Sequence, residues 1–380
     1  MRVHLLLLLF LLIPICVVEA IRDTCPIGCL CDEPTQQVIC EGQQVVTLPD
    51  RLPSGFEVLI LRNTSIRAIE KNSFRKMDKL VQVEFENNPH LGTIEKLAFK
   101  GMKKIRLIKF NGCRELTELP KNAFTGIQNQ MGLKILFEKT PIHRIDAHAF
   151  KNAQNIRELV ISGEELALSR YCFSNINQLD FLTISGVVLI EPEIFVNSSR
   201  FHVVHFKNSS FDIPPNTFSS LSHTSHLLID QNRIRSIAPD AFTGLTTIQV
   251  IELHGNQLGT ISARAFAAVE NLGELKIVRN VIGDLDTSES IMSKALKTRV
   301  EENTLECNCG MKWMTAVDEM SDLNFCSTTA SFRSIRSFVK SKCRTESKKS
   351  QLISQTTSLS PYHSAYLVIV STIILRLFRL

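Results

Sequence analysis

Nine phenylalanines recur along this chain at intervals of 22 to 26 residues. They are Phe74, Phe99, Phe124, Phe150, Phe173, Phe195, Phe218, Phe242 and Phe266. A period of this length predicts a solenoid, because a unit so short cannot form a core alone and must bury its apolar side against copies of itself. We therefore expect function to lie on a repeated surface rather than in a pocket.

A second pattern lies upstream of each phenylalanine, with apolar residues at positions one, four and six of the unit. Position nine is Asn, Cys or a small polar residue. In one unit these four positions are Ile248, Ile251, Leu253 and Asn256. Positions three to seven alternate as in a short strand, so adjacent units should build a parallel sheet. A buried side chain at position nine can satisfy backbone groups that the turn leaves unpaired.

Eight cysteines form two groups that flank the repeats: Cys25, Cys29, Cys31 and Cys40, then Cys307, Cys309, Cys326 and Cys343. A short end piece has too small a core to hold itself, which favours cross-links. Zinc binding is the alternative for such clusters, but an oxidising compartment favours disulfides. Spacing alone leaves three pairings open in each group. Cys113 and Cys172 lie two units apart, beyond disulfide reach, and are predicted to be buried thiols.

The repeat unit resembles the leucine-rich repeat of extracellular proteins, and the two cysteine groups, the second with Trp313, resemble its flanking caps. The resemblance implies an α/β solenoid, a curved horseshoe with a parallel concave sheet and disulfide-stapled caps. It implies the disulfides Cys25–Cys31, Cys29–Cys40, Cys307–Cys326 and Cys309–Cys343. Residues 45–124 are also similar to glycoprotein-hormone receptor ectodomains, but the cap at Cys307 departs from them, so hormone binding is not implied.

The expected organisation follows from these features and from the two ends. Residues 1–20 are predicted to be a secretory signal peptide, with a retained anchor as the alternative. An N-terminal cap at 25–49, about 11 repeats at 50–304 and a C-terminal cap at 305–343 follow. Residues 344–362 are polar and are predicted to be a disordered stalk.

Residues 363–380 form a hydrophobic tail. Its apolar run, residues 365–375, would cover about half of the hydrocarbon core as a helix, which favours a lipid-anchor signal. Arg376 and Arg379 instead favour a short spanning helix with a basic end. Both predict the extracellular side of the plasma membrane, and secretion is the alternative.

The outward strand positions three, five and seven should form the concave face, where ligands of this architecture lie. Its mixed charges and scattered aliphatics favour a protein partner over nucleic acid. Phe181 is the only aromatic residue at these positions and is the best anchor candidate. The candidate ligand-binding residues are Lys109, Lys134, Leu136, Glu138, Glu158, Val160, Phe181, Thr183, His205 and His226. His205, His226 and His254 differ in strand position, so we expect no metal site.

Two further features lie outside this face. Arg333, Arg336, Lys340, Lys342 and Arg344 could bind heparan sulphate or anionic headgroups, with solvated charge as the alternative. Asn63, Asn197 and Asn208 head N-glycosylation sequons.

Motifs for enzymatic chemistry are absent: the sequence has no Gly-rich phosphate loop, HExxH or nucleophile elbow. We therefore expect neither catalysis nor a cofactor. The function favoured is a cell-surface leucine-rich-repeat recognition protein, an adhesion protein or a receptor or co-receptor, that binds a protein ligand on the concave face. The alternative is a secreted or matrix-associated component, such as a non-catalytic subunit or ligand trap.

Overall fold

Twenty-three strands account for most of the regular structure in the computed structural model, which describes residues 24–198, 200–262, 264–285, 295–316, 318–328 and 331–343. In chain order they are β1 (Cys29–Asp32), β2 (Gln37–Glu41), β3 (Val58–Arg62), β4 (Ala68–Ile69), β5 (Gln82–Glu86), β6 (Thr93–Ile94), β7 (Leu107–Asn111), β8 (Glu118–Leu119), β9 (Leu133–Ile145), β10 (Ile156–Leu168), β11 (Gln178–Ile190), β12 (Arg200–Lys207), β13 (Ser210–Ile213), β14 (His223–Asp230), β15 (Arg233–Ile237), β16 (Thr247–His254), β17 (Gln257–Ile261), β18 (Asn271–Val278), β19 (Val281–Leu285), β20 (Ala295–Glu301), β21 (Thr304–Glu306), β22 (Phe325–Ser327) and β23 (Phe332–Ser334). The chain divides into two compact units between Leu305 and Glu306. The predicted signal peptide, stalk and hydrophobic tail lie outside the described residues.

The main sheet takes one strand from each repeat, in the order β1-β2-β3-β5-β7-β9-β10-β11-β12-β14-β16-β18-β20. β1 is antiparallel to β2, and all later neighbours are parallel. In the described part of the chain, twelve strands therefore stack in parallel as a β-solenoid. The strands β1 and β2 both lie in the predicted N-terminal cap, and β2 adds one strand to the parallel stack by pairing with β3.

A second set of strands lies on the return path of the later repeats. β13, β15, β17, β19 and β21 pair in parallel with one another. β9, β10 and β11 are each 13 residues long, and β10 and β11 stay paired past the main sheet, from Leu166 with Val187 to Leu168 with Ile190. Among the described residues of the first unit, the return path has no helix, so the solenoid is built almost wholly of strands and turns.

The nine periodic phenylalanines stack into one continuous column in the core. Ring centroids of successive members are 4.6 to 6.2 Å apart, and each of the eight pairs is stacked. Every ring is almost completely buried. The column confirms the spine that the spacing predicts.

Position nine forms a ladder of buried polar side chains between neighbouring units. Asn88 shows the geometry: its Oδ1 accepts from the backbone N–H of Thr64 at 2.9 Å, and its Nδ2 donates to the carbonyl of Leu61 at 2.8 Å. Asn232, Asn256, Asn280 and Asn303 repeat this arrangement. Cys113 takes the same place and its thiol donates to the carbonyl of Phe85 at 3.7 Å. These bonds confirm the role expected of position nine.

Disulfides join the cysteines within each terminal group. The pairs are Cys25–Cys31, Cys29–Cys40, Cys307–Cys326 and Cys309–Cys343, as the resemblance implies. The second unit has a 3₁₀ helix at Cys309–Ala316, α-helices at Asp318–Leu323 and Ile335–Lys342, and the antiparallel strands β22 and β23. None of the described helices is long and apolar enough to cross a membrane.

Cys113 and Cys172 are free and buried. Burial raises the pKa of the Cys113 thiol to about 12 and raises that of Cys172 as well, because the thiolate would lose its hydration. Both are therefore structural groups, as predicted.

Candidate functional site

The outward side chains of the main sheet form three rows, because parallel pairing in register places equal positions of adjacent repeats side by side. We call this surface the outward face. All ten candidate ligand-binding residues lie in its rows. Position five, for example, runs Ile60, Glu84, Lys109, Leu136, Val160, Thr183, His205, Leu228, Glu252, Lys276 and Arg299. Ile60, expected to be outward and exposed, is buried at 8% exposure.

Charged residues on the N-terminal flank of the outward face pair with one another across strands. Lys109 Nζ lies 3.7 Å from carboxylate oxygens of both Glu84 and Glu138. Lys134 Nζ is 2.7 Å from Glu158, on the next strand. Four of the ten candidates, Lys109, Lys134, Glu138 and Glu158, thus have partners within the chain, which reduces what they can offer to a ligand.

The C-terminal flank repeats this pairing. Lys276 Nζ lies 3.2 Å from Glu252 and 3.9 Å from Glu274, and Glu274 also meets Lys297 at 3.1 Å. His254 Nδ1 lies 2.9 Å from Asp230. Both ends of the outward face are therefore networks of opposite charges held in register by the sheet.

Beside these charged pairs the outward face has a group of uncharged residues, which we call the central window: Leu136, Val160, Phe181, Thr183 and Val203. The paired residues Lys134, Glu138 and Glu158 lie on the same strands as Leu136 and Val160. Val160 pairs with Leu136 on one side and Thr183 on the other, and Phe181 pairs with Val203. Phe181 is 44% exposed, the others being partly buried. Sequence reasoning named four of the five and missed Val203, whose proximity to Phe181 depends on strand register.

Two histidines border the central window. His205 pairs with Thr183 on the neighbouring strand, and His226 pairs with Val203. A third histidine, His202, contacts Phe181 and His226 edge to face, with ring centroids 6.0 Å and 6.2 Å apart. Burial lowers the pKa of His205 and of His226, so both rings favour the neutral form. In the described part of the chain, no three His, Cys, Asp or Glu side chains are arranged to hold a metal ion.

The other sequence candidates are not among the residues of the central window. Asn63, Asn197 and Asn208 are exposed and have positive φ of 52°, 55° and 47°, so each side chain stands at a turn. In the second unit Arg333, Lys340 and Lys342 are exposed, Arg336 contacts Asp322 at 2.7 Å, and Arg344 lies outside the described residues.

Comparison with known proteins agrees with this repeat geometry. A family model described as "BspA type Leucine rich repeat region (6 copies)" matches residues 56–180. A second, "Leucine rich repeat", matches residues 205–258 and 222–282. No curated protein sequence matches the chain.

Solved structures with a similar fold include a chain of the Toll–Spatzle complex from Drosophila, 16% identical, with a TM-score of 0.45 over 71% of this chain and 43% of that chain. A chain of a TLR13–ssRNA13 complex is 15% identical, with a TM-score of 0.37 over 66% of this chain and 48% of that chain. Human 5T4, or trophoblast glycoprotein, is 14% identical, with a TM-score of 0.36 over 80% of this chain and 92% of that chain. This chain spans less than half the length of the first two.

The family models cover successive parts of the array, and the structure adds the parallel sheet, the position-nine ladder and disulfides at both ends. The chain is a leucine-rich-repeat protein whose array is flanked by disulfide-bonded segments.

Proposed function

We propose that this chain is a cell-surface recognition protein that binds a protein ligand through the central window of its outward face. The observation that carries the proposal is the contrast between that window and its flanks. On both flanks charges neutralise one another, whereas Leu136, Val160, Phe181, Thr183 and Val203 present an uncharged patch with one half-exposed aromatic ring.

This arrangement has the composition of a protein-binding surface. Interfaces have an apolar core depleted of charge and a polar rim, and aromatic side chains in the core supply much of the binding energy. Phe181 lies on β11, one of the two inner strands of the four that form the window, and is its only aromatic residue, so it is the anchor that we propose. The paired charges of the flanks would form the rim and would select a partner by charge complementarity.

The compartment is inferred from the cysteines, and membrane attachment is proposed from the composition of residues 363–380. Four disulfides indicate an extracellular or secreted protein, because thiols stay reduced in the cytosol. We propose that residues 363–380 attach it to the membrane, as a lipid-anchor signal or a short helix. We propose heparan sulphate as a second partner, bound by the basic residues of the C-terminal cap. A secreted or matrix-associated binding component, such as a ligand trap, is the alternative.

The three sequons fit a protein ligand in the central window. Asn63 and Asn208 follow the strands β3 and β12 directly, and Asn197 lies on a return turn. Glycans at these sites would leave β9, β10 and β11, which carry four of the five window residues, accessible, since none of the three sequons lies on these strands.

The test is a binding screen of the chain displayed on cells against extracellular proteins, followed by comparison of Phe181→Ala with Val250→Ala. Val250 is an outward residue of the same row, on β16. Phe181→Ala should weaken a confirmed ligand at least about tenfold, the loss expected of an interface anchor, and Val250→Ala should not. Equal affinity of both variants for every ligand found would refute the proposed site. Detection of the protein in the medium and not on intact cells would favour the secreted alternative.

A further inference from the structure

The second unit exposes large apolar side chains at and beside the strands β22 and β23. Phe332 is 72% exposed, Phe325 46% and Leu323 44%. The antiparallel register places Phe325 opposite Ser334, and Ser327 opposite Phe332. Opposite residues of an antiparallel pair share a face and alternate residues return to it, so both phenylalanines lie on the same face. We call this the aromatic face.

The reverse face of the strand pair is fixed to the interior of the unit. Cys326 follows Phe325 on β22 and therefore points to the opposite side of the strand pair. It is completely buried and is disulfide-bonded to Cys307. The aromatic face is therefore held outward by a covalent link and cannot turn inward without reversing the whole pair. Two solvent-exposed phenylalanines on the same face are typical of an interaction site, because apolar side chains grouped in water gain free energy when a partner covers them.

Charge and chain connectivity indicate what covers this face. The second unit exposes the basic side chain of Lys340 on the helix Ile335–Lys342, which follows β23 directly, whereas Arg333 is opposite Cys326 and belongs to the reverse face. The sequence then runs through residues 344–364, with Arg344, Lys348 and Lys349, before the apolar run 365–375. If residues 344–364 are disordered, as the sequence predicts for the stalk at 344–362, their root-mean-square span is about 25 Å. If the apolar run leads to membrane attachment, the second unit is held on average about this far from the lipid headgroups.

We propose that the aromatic face of β22 and β23 docks on the lipid surface, with Phe325 and Phe332 inserted at the headgroup level. The inference rests on the proposed membrane attachment of residues 363–380. Aromatic rings gain from leaving water at this depth, and basic side chains are attracted to headgroup phosphates. Because the tether keeps the unit at a high effective concentration near the membrane, contacts too weak to hold a free protein suffice.

A single-tryptophan variant tests the docking directly. Trp313 is the only tryptophan of the chain, so the double substitution Trp313→Phe and Phe332→Trp leaves one reporter on the aromatic face. The full chain, purified from expressing cells, is reconstituted into phosphatidylcholine vesicles that contain nitroxide-labelled lipid. We expect blue-shifted emission and strong quenching by the labelled lipid. Adding Phe325→Ser should reduce the docked-to-undocked ratio about tenfold, the loss expected when one ring stays in water.

Leu189→Ser in the reporter chain is the matched control, because Leu189 is an exposed apolar residue on β11, at 52% exposure, outside the second unit. It should leave the quenching unchanged. Peptide mapping without reduction checks that Cys307–Cys326 and Cys309–Cys343 survive in every variant.

The outcomes separate docking from attachment. A chain that floats with the vesicles but whose reporter stays red-shifted and unquenched overturns the docking and leaves the attachment intact. A chain that does not float with vesicles overturns the attachment, and the docking falls with it. If the tryptophan emission shifts to the blue on addition of heparin and does not change with vesicles, the partner of the aromatic face is a polyanion and the proposed lipid docking is overturned.

Discussion

Asn256 Oδ1 accepts a hydrogen bond from the backbone N–H of Asn232 at 2.8 Å, while Asn256 Nδ2 donates to the carbonyl of Ile229 at 2.8 Å. One side chain thus satisfies two buried backbone groups of the preceding unit. The loss of either bond would leave a group without water or partner, which costs more than the bond contributes when it is made. The position-nine ladder is therefore a requirement of stacking the repeats.

Replacing Asn256 with Ala should lower the free energy of unfolding by about 3 kcal/mol, since two buried backbone groups lose their partners. Chemical denaturation measures the change. Asn271→Ala is the control, because Asn271 is exposed and its bond to the carbonyl of Thr246 is 3.3 Å long. An equal loss in both variants would contradict the role assigned to position nine.

Phe242→Ala should lower the free energy of unfolding by about 4 kcal/mol, because it opens a cavity between two neighbouring rings of the phenylalanine column. The ring lies 5.5 Å from Phe218 and 4.6 Å from Phe266. Because each unit contacts only its neighbours, faster amide hydrogen exchange should appear in the units around β16 and spare those around β3. Uniform acceleration along the array would argue against this local coupling.

Stability should fall as the pH is lowered from 7 to 5. Burial lowers the pKa of His205 and of His226 below the usual value of 6.5, although Asp230 and Glu252 oppose the shift at His205. The unfolded chain therefore takes up protons at a higher pH than the folded chain, and this difference disfavours folding as the pH drops. His205→Asn should make the decline of thermal stability between pH 7 and 5 shallower than in the unsubstituted chain. An unchanged slope would show that His205 does not contribute.

The thiols of Cys113 and Cys172 should not react with iodoacetamide in the folded protein at pH 8, because both are buried and the pKa of Cys113 is raised to about 12. In denaturant without reductant, both should become labelled, and the eight disulfide-bonded cysteines should not. Mass spectrometry of labelled peptides counts the modified sites. Rapid labelling of Cys113 in the native state would mean that the position-nine ladder opens locally.

Much of the fold could be predicted because each repeat carries its own local signals. The spacing of Phe74 to Phe266 locates the column, and the alternation from Ile248 to Leu253 locates the strand and its buried side. The return path was less predictable. β10 and β11 are each 13 residues long and continue past the main sheet, because their return segments, with Leu166 and Leu168 opposite Val187 and Ile190, pair with each other there. This outcome depends on two neighbouring repeats together.

For the outward face, the sequence by itself determined which residues point outward, since the strand period of two assigns every side chain to a face. Only the tertiary structure decided which of them are already paired within the chain and which can still contact a ligand. Lys134 meets Glu158 and Phe181 meets Val203 because of the register between strands of different repeats. That register arises when about two dozen intervening residues return the chain to the sheet. Pairing across strands is a property of the stacked solenoid, whereas the repeat pattern is already present in one unit.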